Sequence, residues 1–288
     1  MDVLIIGGSG LVGQNVMRHC MDAGHSVVGT YGSSPTDETT VQLDKTDADR
    51  TEDVIEQYQP DAVIDAAAFH AVDDCETDRR RAWEVNAAGT ANAAAAANRV
   101  DAHFVYLSTD YVFGGDKEER RYSETNAVAP VNYYGQTKYA AEQAAKITDI
   151  STILRPSVVY GLASDNFLTW VLSELRASNE INIVDDQISC PTYAVDIART
   201  CIDVVERSVT GVYHAAGPSS VSRYEFTTTI AEQSGHDTDL ITPISSSELG
   251  QEAPRPVDSS LDSTKLYEAI GYRFRPPAEA LAHLLSGE

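Results

Sequence analysis

Tyr134 and Lys138 stand four residues apart in the run Tyr134-Gly135-Gln136-Thr137-Lys138. On a helix that spacing stacks both side chains on one face. A phenol ordinarily ionises near pH ~10, and a nearby ammonium favours the ionised form. Tyr-x-x-x-Lys is therefore a compact device for giving and taking a proton. Alone it is a weak signal, because 14 Tyr and 5 Lys in 288 residues produce about 0.25 such pairs by chance. Its weight comes from what precedes it, above all Ser108-Thr109-Asp110 after the apolar run Phe104-Val105-Tyr106-Leu107.

A second pattern concerns a nucleotide. Gly7-Gly8-Ser9-Gly10-Leu11-Val12-Gly13 separates the apolar run Val3-Leu4-Ile5-Ile6 from a helical pattern that begins at Leu11. Gly7 permits the tight turn, Gly10 lets backbone approach a pyrophosphate, and Gly13 lets helix and strand pack closely. Ser9, Leu11 and Val12 complete the phosphate-facing turn. The residue ending strand two ordinarily separates NAD from NADP: a carboxylate bonds the ribose 2′-OH, a basic group takes the 2′-phosphate. Gly29-Thr30-Tyr31-Gly32-Ser33-Ser34 holds neither. The hydroxyls of Thr30 and Ser33 can bond either group, so NADPH and NADH both stay open, the missing carboxylate favouring NADPH. Asp44 can bond the adenine amine or act as a helix N-cap. Ala66-Ala67-Ala68 offers small side chains where backbone must come near the cofactor.

These residues need a scaffold. Strands are expected at Val3–Ile6, Val27–Val28, Val41–Leu43, Asp61–Asp65, Phe104–Leu107 and Thr152–Leu154. Helices are expected at Leu11–Met21, Thr51–Tyr58 and Asp78–Ala97, with another carrying Tyr134 and Lys138. Alternation of this kind predicts an α/β fold, a doubly wound parallel sheet. After Arg155-Pro156 the pattern loosens. Helices are expected at 166–177, 193–206 and from Ser222, strands at 182–184 and 212–214, and irregular chain at 244–263 before a short helical tail. The expected division is a nucleotide-binding domain over 1–155, to which 190–216 returns, and a smaller substrate-binding domain from 156–189 and 217–288.

Composition narrows the partners. The 44 Asp and Glu against 21 Lys and Arg give a net charge of -23, which repels nucleic acid and anionic membranes. Sparse Lys beside so many acids suggests adaptation to high salt, where self-repulsion is screened; an ordinary acidic protein is the plainer reading. Cys20, Cys75, Cys190 and Cys201 have no Cys-x-x-Cys spacing and the His residues do not cluster, so neither disulfides nor a protein-built metal site is expected. No apolar run approaches the ~18 residues of a membrane span and no leader precedes the first strand. A soluble, cytoplasmic protein is expected.

Together, the glycine turn, the hydroxyl residue after strand five and Tyr-x-x-x-Lys resemble an extended short-chain dehydrogenase/reductase. Ala66–Asp73, Ser108–Gly114, Asn132–Glu142, Asp185–Thr192 and Arg255-Pro256-x-x-Ser259-x-Leu261-Asp262 narrow the resemblance to the dTDP-4-dehydrorhamnose reductase family, over about residues 1–265. The resemblance implies hydride delivery from NADPH or NADH to C4 of a 4-keto nucleotide sugar. It gives Tyr134 the role of proton donor. Lys138 is to hold the nicotinamide ribose and lower the Tyr134 pKa, and Thr109 to bond the carbonyl oxygen. Val72, Asp110, Tyr111, Gln187, Cys190, Pro191 and Thr192 are to line the sugar pocket, and Asn86 to tether helix to strand. Two departures matter. Tyr111 stands where related sugar dehydratases have Glu, which argues against dehydration. Val158 stands where the family often has Trp, which removes an aromatic wall near the sugar. The resemblance also implies a homodimer. Two alternatives are a nucleotide-sugar epimerase and a non-catalytic subunit like the regulatory subunit of methionine adenosyltransferase.

Overall fold

The computed structural model describes residues 1–116 and 121–286; the last two residues of the expected second domain lie outside it. In chain order the strands are β1 (Asp2–Ile6), β2 (Ser26–Tyr31), β3 (Thr39–Gln42), β4 (Ala62–Asp65), β5 (His103–Leu107), β6 (Ser151–Arg155), β7 (Val159–Tyr160), β8 (Ile181–Val184), β9 (Ile188–Ser189), β10 (Thr192–Tyr193), β11 (Gly211–His214), β12 (Val221–Ser222) and β13 (Ile241–Ile244). The helices are α1 (Leu11–Asp22), α2 (Ala48–Tyr58), α3 (Val72–Thr77), α4 (Arg79–Trp83), α5 (Gly89–Arg99), α6 (Tyr133–Ala145), α7 (Phe167–Arg176), α8 (Ala194–Glu206), α9 (Arg223–Ser234), α10 (Ser246–Leu249), α11 (Thr264–Ile270) and α12 (Pro277–Ser286).

The main sheet runs β11-β6-β5-β4-β1-β2-β3, and every pairing in it is parallel. Leu4 and Ile5 are both fully buried, as continuous apolar strands require when helices cover both faces. One face packs Val16, Met17, Ile197, Cys201 and Leu266. The other packs Val54, Ile55, Ala93, Ala96 and Ala141. The strand order reverses between β1 and β4, and the cavity described below opens at their C-terminal ends, where open α/β sheets bind ligands. A separate core of Leu168, Leu172, Phe226, Ile230 and Leu281 forms beside it from α7, α9 and α12. No helix among the described residues is long and apolar enough to cross a membrane.

Three expectations need correction. The helix expected over 78–97 is broken into α4, a π turn at Glu84–Ala88 and α5. A wider turn of this kind re-aims a side chain. Here Asn86, fully buried, bonds Phe69 through backbone N (2.8 Å) and O (3.0 Å), and Thr137 Oγ1 (3.0 Å). Residues 244–263 include α10, started by a Ser245–Glu248 capping box, whose pattern Ser-x-x-Glu is in the sequence. The tail is two helices, α11 and α12, separated by the left-handed Gly271.

Candidate active site

The glycine turn leads directly from β1 into α1. A Cβ on Gly13 would collide with the Gly7 carbonyl oxygen, and one on Gly135 with the Tyr111 carbonyl oxygen. These two glycines seat α1 on its own turn and α6 on the chain after β5. At Gly10 no side chain caps α1, so its first-turn amides are left for an anion.

Gly7, Ser9, Gly10, Leu11 and Val12 line a cavity of about 650 Å³ together with Ala66, Ala67, Ala68, Val72, Thr109, Asp110, Tyr111, Tyr134 and Lys138. A dinucleotide fits this donor set: an uncapped helix start, a wall of alanines and a Tyr–Lys pair share one hollow. Gly13 supports the turn from behind. The opposite wall is Pro156, Val158, Val159, Ser164, Asp165, Asn166, Phe167 and Arg223. Residues 161–163 reach back to the turn, for Gln14 Nε2 donates to both Ser9 O (2.8 Å) and Ala163 O (2.9 Å).

The alanine wall is set from beneath. Lys45 and Asp65 are 3% and 0% exposed. Lys45 Nζ donates to Asp65 Oδ2 (2.7 Å) and Oδ1 (2.9 Å), to Ala67 O (2.7 Å) and to Thr90 Oγ1 (3.0 Å). Asp65 Oδ1 in turn accepts from Ala67 N (3.2 Å). A buried ion pair is tolerable only when its remaining hydrogen-bonding capacity is used, and here much of it is spent on the backbone of the wall.

Helix α6 is locked in the same way. Glu142, one turn beyond Lys138, accepts from Arg155 Nε (2.8 Å) and Nη2 (2.7 Å) and from Ser108 Oγ (2.6 Å). Asn132 caps the helix, accepting from Gly135 N (2.8 Å). Tyr134 and Lys138 are therefore carried on a rigid element pinned to the ends of β5 and β6.

The electrostatics depart from expectation at one point. Among the described residues, no hydrogen bond joins the Lys138 ammonium to the Tyr134 phenol. The ammonium donates to Leu107 O (2.6 Å) and lies 4.4 Å from the centre of the Tyr106 ring. Burial and the nearby Lys45 charge pull Lys138 down to about 7, with Asp65 and Glu142 acting the other way. Burial and the Asp110 carboxylate push the Tyr134 phenol up, and the Thr109 hydroxyl partly offsets them. The phenol thus lies above its ordinary range rather than below it, because burial outweighs its polar partners. A high phenol pKa keeps Tyr134 protonated, the state a proton donor needs.

Several expected site residues lie elsewhere. Thr30 is fully buried, and its hydroxyl accepts from Gly7 N (3.3 Å), bracing the turn. Ser33 is exposed and away from the cavity lining. Asp44 accepts from Thr46 N (3.0 Å) and Thr46 Oγ1 (2.8 Å), closing its own turn. Cys190 and Thr192 are fully buried behind the cavity. Cys190 Sγ contacts Leu261 O and Ser220 Oγ, and burial pushes its thiol up. Thr192 Oγ1 donates to Ser157 O (2.6 Å). Pro191 touches Gly217 with its carbonyl. Gln187 lines a second cavity, of about 420 Å³, with Ser246, Gln251 and Arg255. Asp110 lines the main cavity but spends its carboxylate on Ser157 Oγ (2.7 Å), Ser259 Oγ (2.6 Å) and Thr109 Oγ1 (3.2 Å).

The sequence reading missed Lys45, Asp65, His70, Asn166, Phe167 and Arg223. Nothing in their local pattern marks them; a buried Lys in a chain with only 5 is the nearest to a signal. Val158, a β-branched residue with φ 45°, holds a backbone conformation that is costly for its type, on the wall facing the glycine turn.

The sequence model of the RmlD substrate binding domain family matches residues 1–287. The chain belongs to that family. The spore coat polysaccharide biosynthesis protein SpsK of Bacillus subtilis (strain 168) is 34% identical over 284 residues, 98% of this chain and 96% of that protein. The crystal structure of dTDP-4-dehydrorhamnose reductase from Bacillus anthracis str. Ames in complex with NADP superposes with a TM-score of 0.91. It is 30% identical and covers 100% of this chain and 99% of its own. Methionine adenosyltransferase 2 subunit beta of Xenopus tropicalis is 31% identical over 95% of this chain and 84% of that protein. Among the described residues, no group of three His, Cys, Asp or Glu side chains could hold a metal ion.

Proposed function

We propose that this member of the RmlD family is an NADPH- or NADH-dependent reductase of a 4-keto nucleotide sugar, dTDP-4-dehydrorhamnose or a close analogue. One observation carries the reading: Thr109, Tyr134 and Lys138 line the same cavity as the glycine turn. When bound, the dihydronicotinamide supplies a hydride. The protein's part is the proton and the charge. Thr109 Oγ1, which in the free protein donates to Asp110 Oδ1 (3.2 Å), would turn that hydrogen to the sugar's carbonyl oxygen, where negative charge develops. Tyr134 passes its proton to that oxygen, giving the alcohol. Hydride to carbon and proton to oxygen balance the reduction. Lys138, on the same face of α6 and charged below pH ~7, would add positive charge to the cavity in which the phenolate remains. Ser9 and the first-turn amides of α1 would hold the pyrophosphate, and the Ala66–Ala68 wall the nucleoside. Val72 and Tyr111 would border the sugar. The division into residues 1–155 with 190–216, against 156–189 with 217–288, is the domain arrangement we propose.

The test is cofactor oxidation with a dTDP-4-keto-6-deoxy sugar, comparing wild type with Tyr134→Phe. Net consumption of NAD(P)H is expected, which an epimerase would not give. Equal rates for the two proteins would sink the mechanism. A non-catalytic subunit has no use for a threonine, a tyrosine and a lysine gathered in one hollow. Absence of turnover on every sugar, with a synthetase subunit bound stoichiometrically, would favour that reading instead.

A further inference from the structure

We infer that Arg223 is the residue that neutralises the diphosphate of the nucleotide-sugar substrate. The inference rests on the reductase reading for its substrate class, but on separate observations for the residue. A nucleoside diphosphate sugar brings two negative charges to a protein whose own net charge is -23. Its binding site must therefore supply a local cation. Lys138 and Arg223 are the Lys and Arg side chains on the wall of the main cavity. Lys138 is committed to Leu107 O and the Tyr106 ring.

Arg223 has no such commitment. Other arginines with low exposure in this half of the molecule hold carboxylates: Arg155 holds Glu142, Arg255 holds Asp73 and Arg275 holds Asp196. Among the described residues, no carboxylate lies within ion-pairing distance of Arg223. Its guanidinium rests 5.3 Å from the centre of the Phe167 ring, another cavity residue. A cation held over a ring in this way spends no N–H on it, which leaves those groups for a bidentate anion.

Position supports the same role. Arg223 is the first residue of α9, whose start is fixed by reciprocal bonds between Ser222 and Glu225 (2.7 and 3.0 Å). Its backbone N donates to Gln187 O (3.2 Å), and the Gln187 side chain lines the second cavity. Arg223, on the wall of the main cavity, is thus bonded through its backbone to a residue of the second. It also lies within electrostatic reach of Asp110, next in the chain to Thr109. A substrate with its sugar at Thr109 and its nucleoside toward the second cavity carries its diphosphate past this guanidinium.

Calorimetric titration of the full chain with dTDP, dTMP and NADPH tests this without any turnover. Arg223→Met should weaken dTDP binding about tenfold to a hundredfold. It should affect dTMP less and leave NADPH affinity unchanged. Arg223→Lys should recover part of the loss, since it keeps the charge but not the planar fork. Unchanged dTDP affinity in Arg223→Met, or a loss confined to NADPH, would overturn the inference, as would failure of the wild type to bind dTDP. If the wild type binds dTDP through Arg223 yet oxidises no NADPH with a 4-keto sugar, the reductase reading falls and the Arg223 assignment stands. If it turns over and Arg223→Met matches it in both KM and dTDP affinity, only the assignment falls.

Discussion

The two walls of the main cavity are built differently. The wall from β1, β4, β5 and α6 is made of strand ends and helix starts. Beneath it lie two buried ion pairs, Lys45–Asp65 and Glu142–Arg155. The facing wall, from Pro156 to Phe167 and Arg223, is largely loop. It includes a valine in left-handed backbone. The first wall carries residues that must be placed to within a fraction of an ångström for proton transfer. The second carries Val158, Phe167 and Arg223 on chain that is mostly outside helices and strands. Rigid elements give the precision; loops give the variation between proteins of one fold.

The largest expected effect tests the first wall directly. Tyr134→Phe keeps the ring and removes the proton, and the reduction rate should fall by about 10²–10⁴-fold. Substrate affinity by calorimetry should hardly change.

The support beneath that wall comes next. Lys45→Met leaves Asp65 buried without its partner and should cost about 3–5 kcal/mol by urea denaturation. The double variant Lys45→Met, Asp65→Leu should regain much of that stability but not the KM for NADPH, because Ala67 has lost its clamp. Full recovery of KM in the double variant would show that the wall needs no such support.

Lys138 sets a pH limit. Its ammonium is drawn below the ordinary lysine range to about 7, so it is charged below that pH and neutral above. The kcat/KM for reduction should fall as pH rises through about 7. A profile flat to pH 9 would mean that the charge is not used, or is restored when ligands bind.

On the second wall, changes at residues behind the surface should do little to catalysis. Cys190→Ala removes a buried sulfur from a small cluster with Val112, Phe113 and Leu261. It should lower stability by about 1 kcal/mol and leave the KM for the sugar within twofold. A large KM change would return Cys190 to the pocket. The smallest effect concerns the whole surface. Raising salt from about 0.1 to 1 M shortens the Debye length from ~10 to ~3 Å, and the melting temperature of this acidic chain should rise. No change would leave the high charge without a role in stability.

Much of the fold was legible before the structure. Continuous apolar strands, glycines spaced by three and Ala-rich helices are local patterns. The site residues on the first wall were legible for the same reason: turn and helix spacing fix which side chains share a face. Sequence neighbours proved a poor guide elsewhere. Gln187, Cys190 and Thr192 belong to one stretch, yet the first lines the second cavity and the other two are buried behind the first. Thr30 and Asp44 have suitable hydroxyl and carboxylate groups, but the first is spent on the glycine turn at Gly7 and the second on its own turn at Thr46. Lys45 and Asp65, 20 residues apart, meet only because β4 lies beside β1 and the chain after β3 folds over it.

The sequence by itself determined the parallel sheet, the nucleotide turn and the Tyr134–Lys138 pair, because each rests on backbone geometry repeated over a few residues. The tertiary structure decided where the Lys138 ammonium points, which polar groups are already spent on one another, and that Arg223 lines the cavity with no ion-paired carboxylate among the described residues. Those depend on which side chains burial brings together from distant parts of the chain, and no local spacing encodes that.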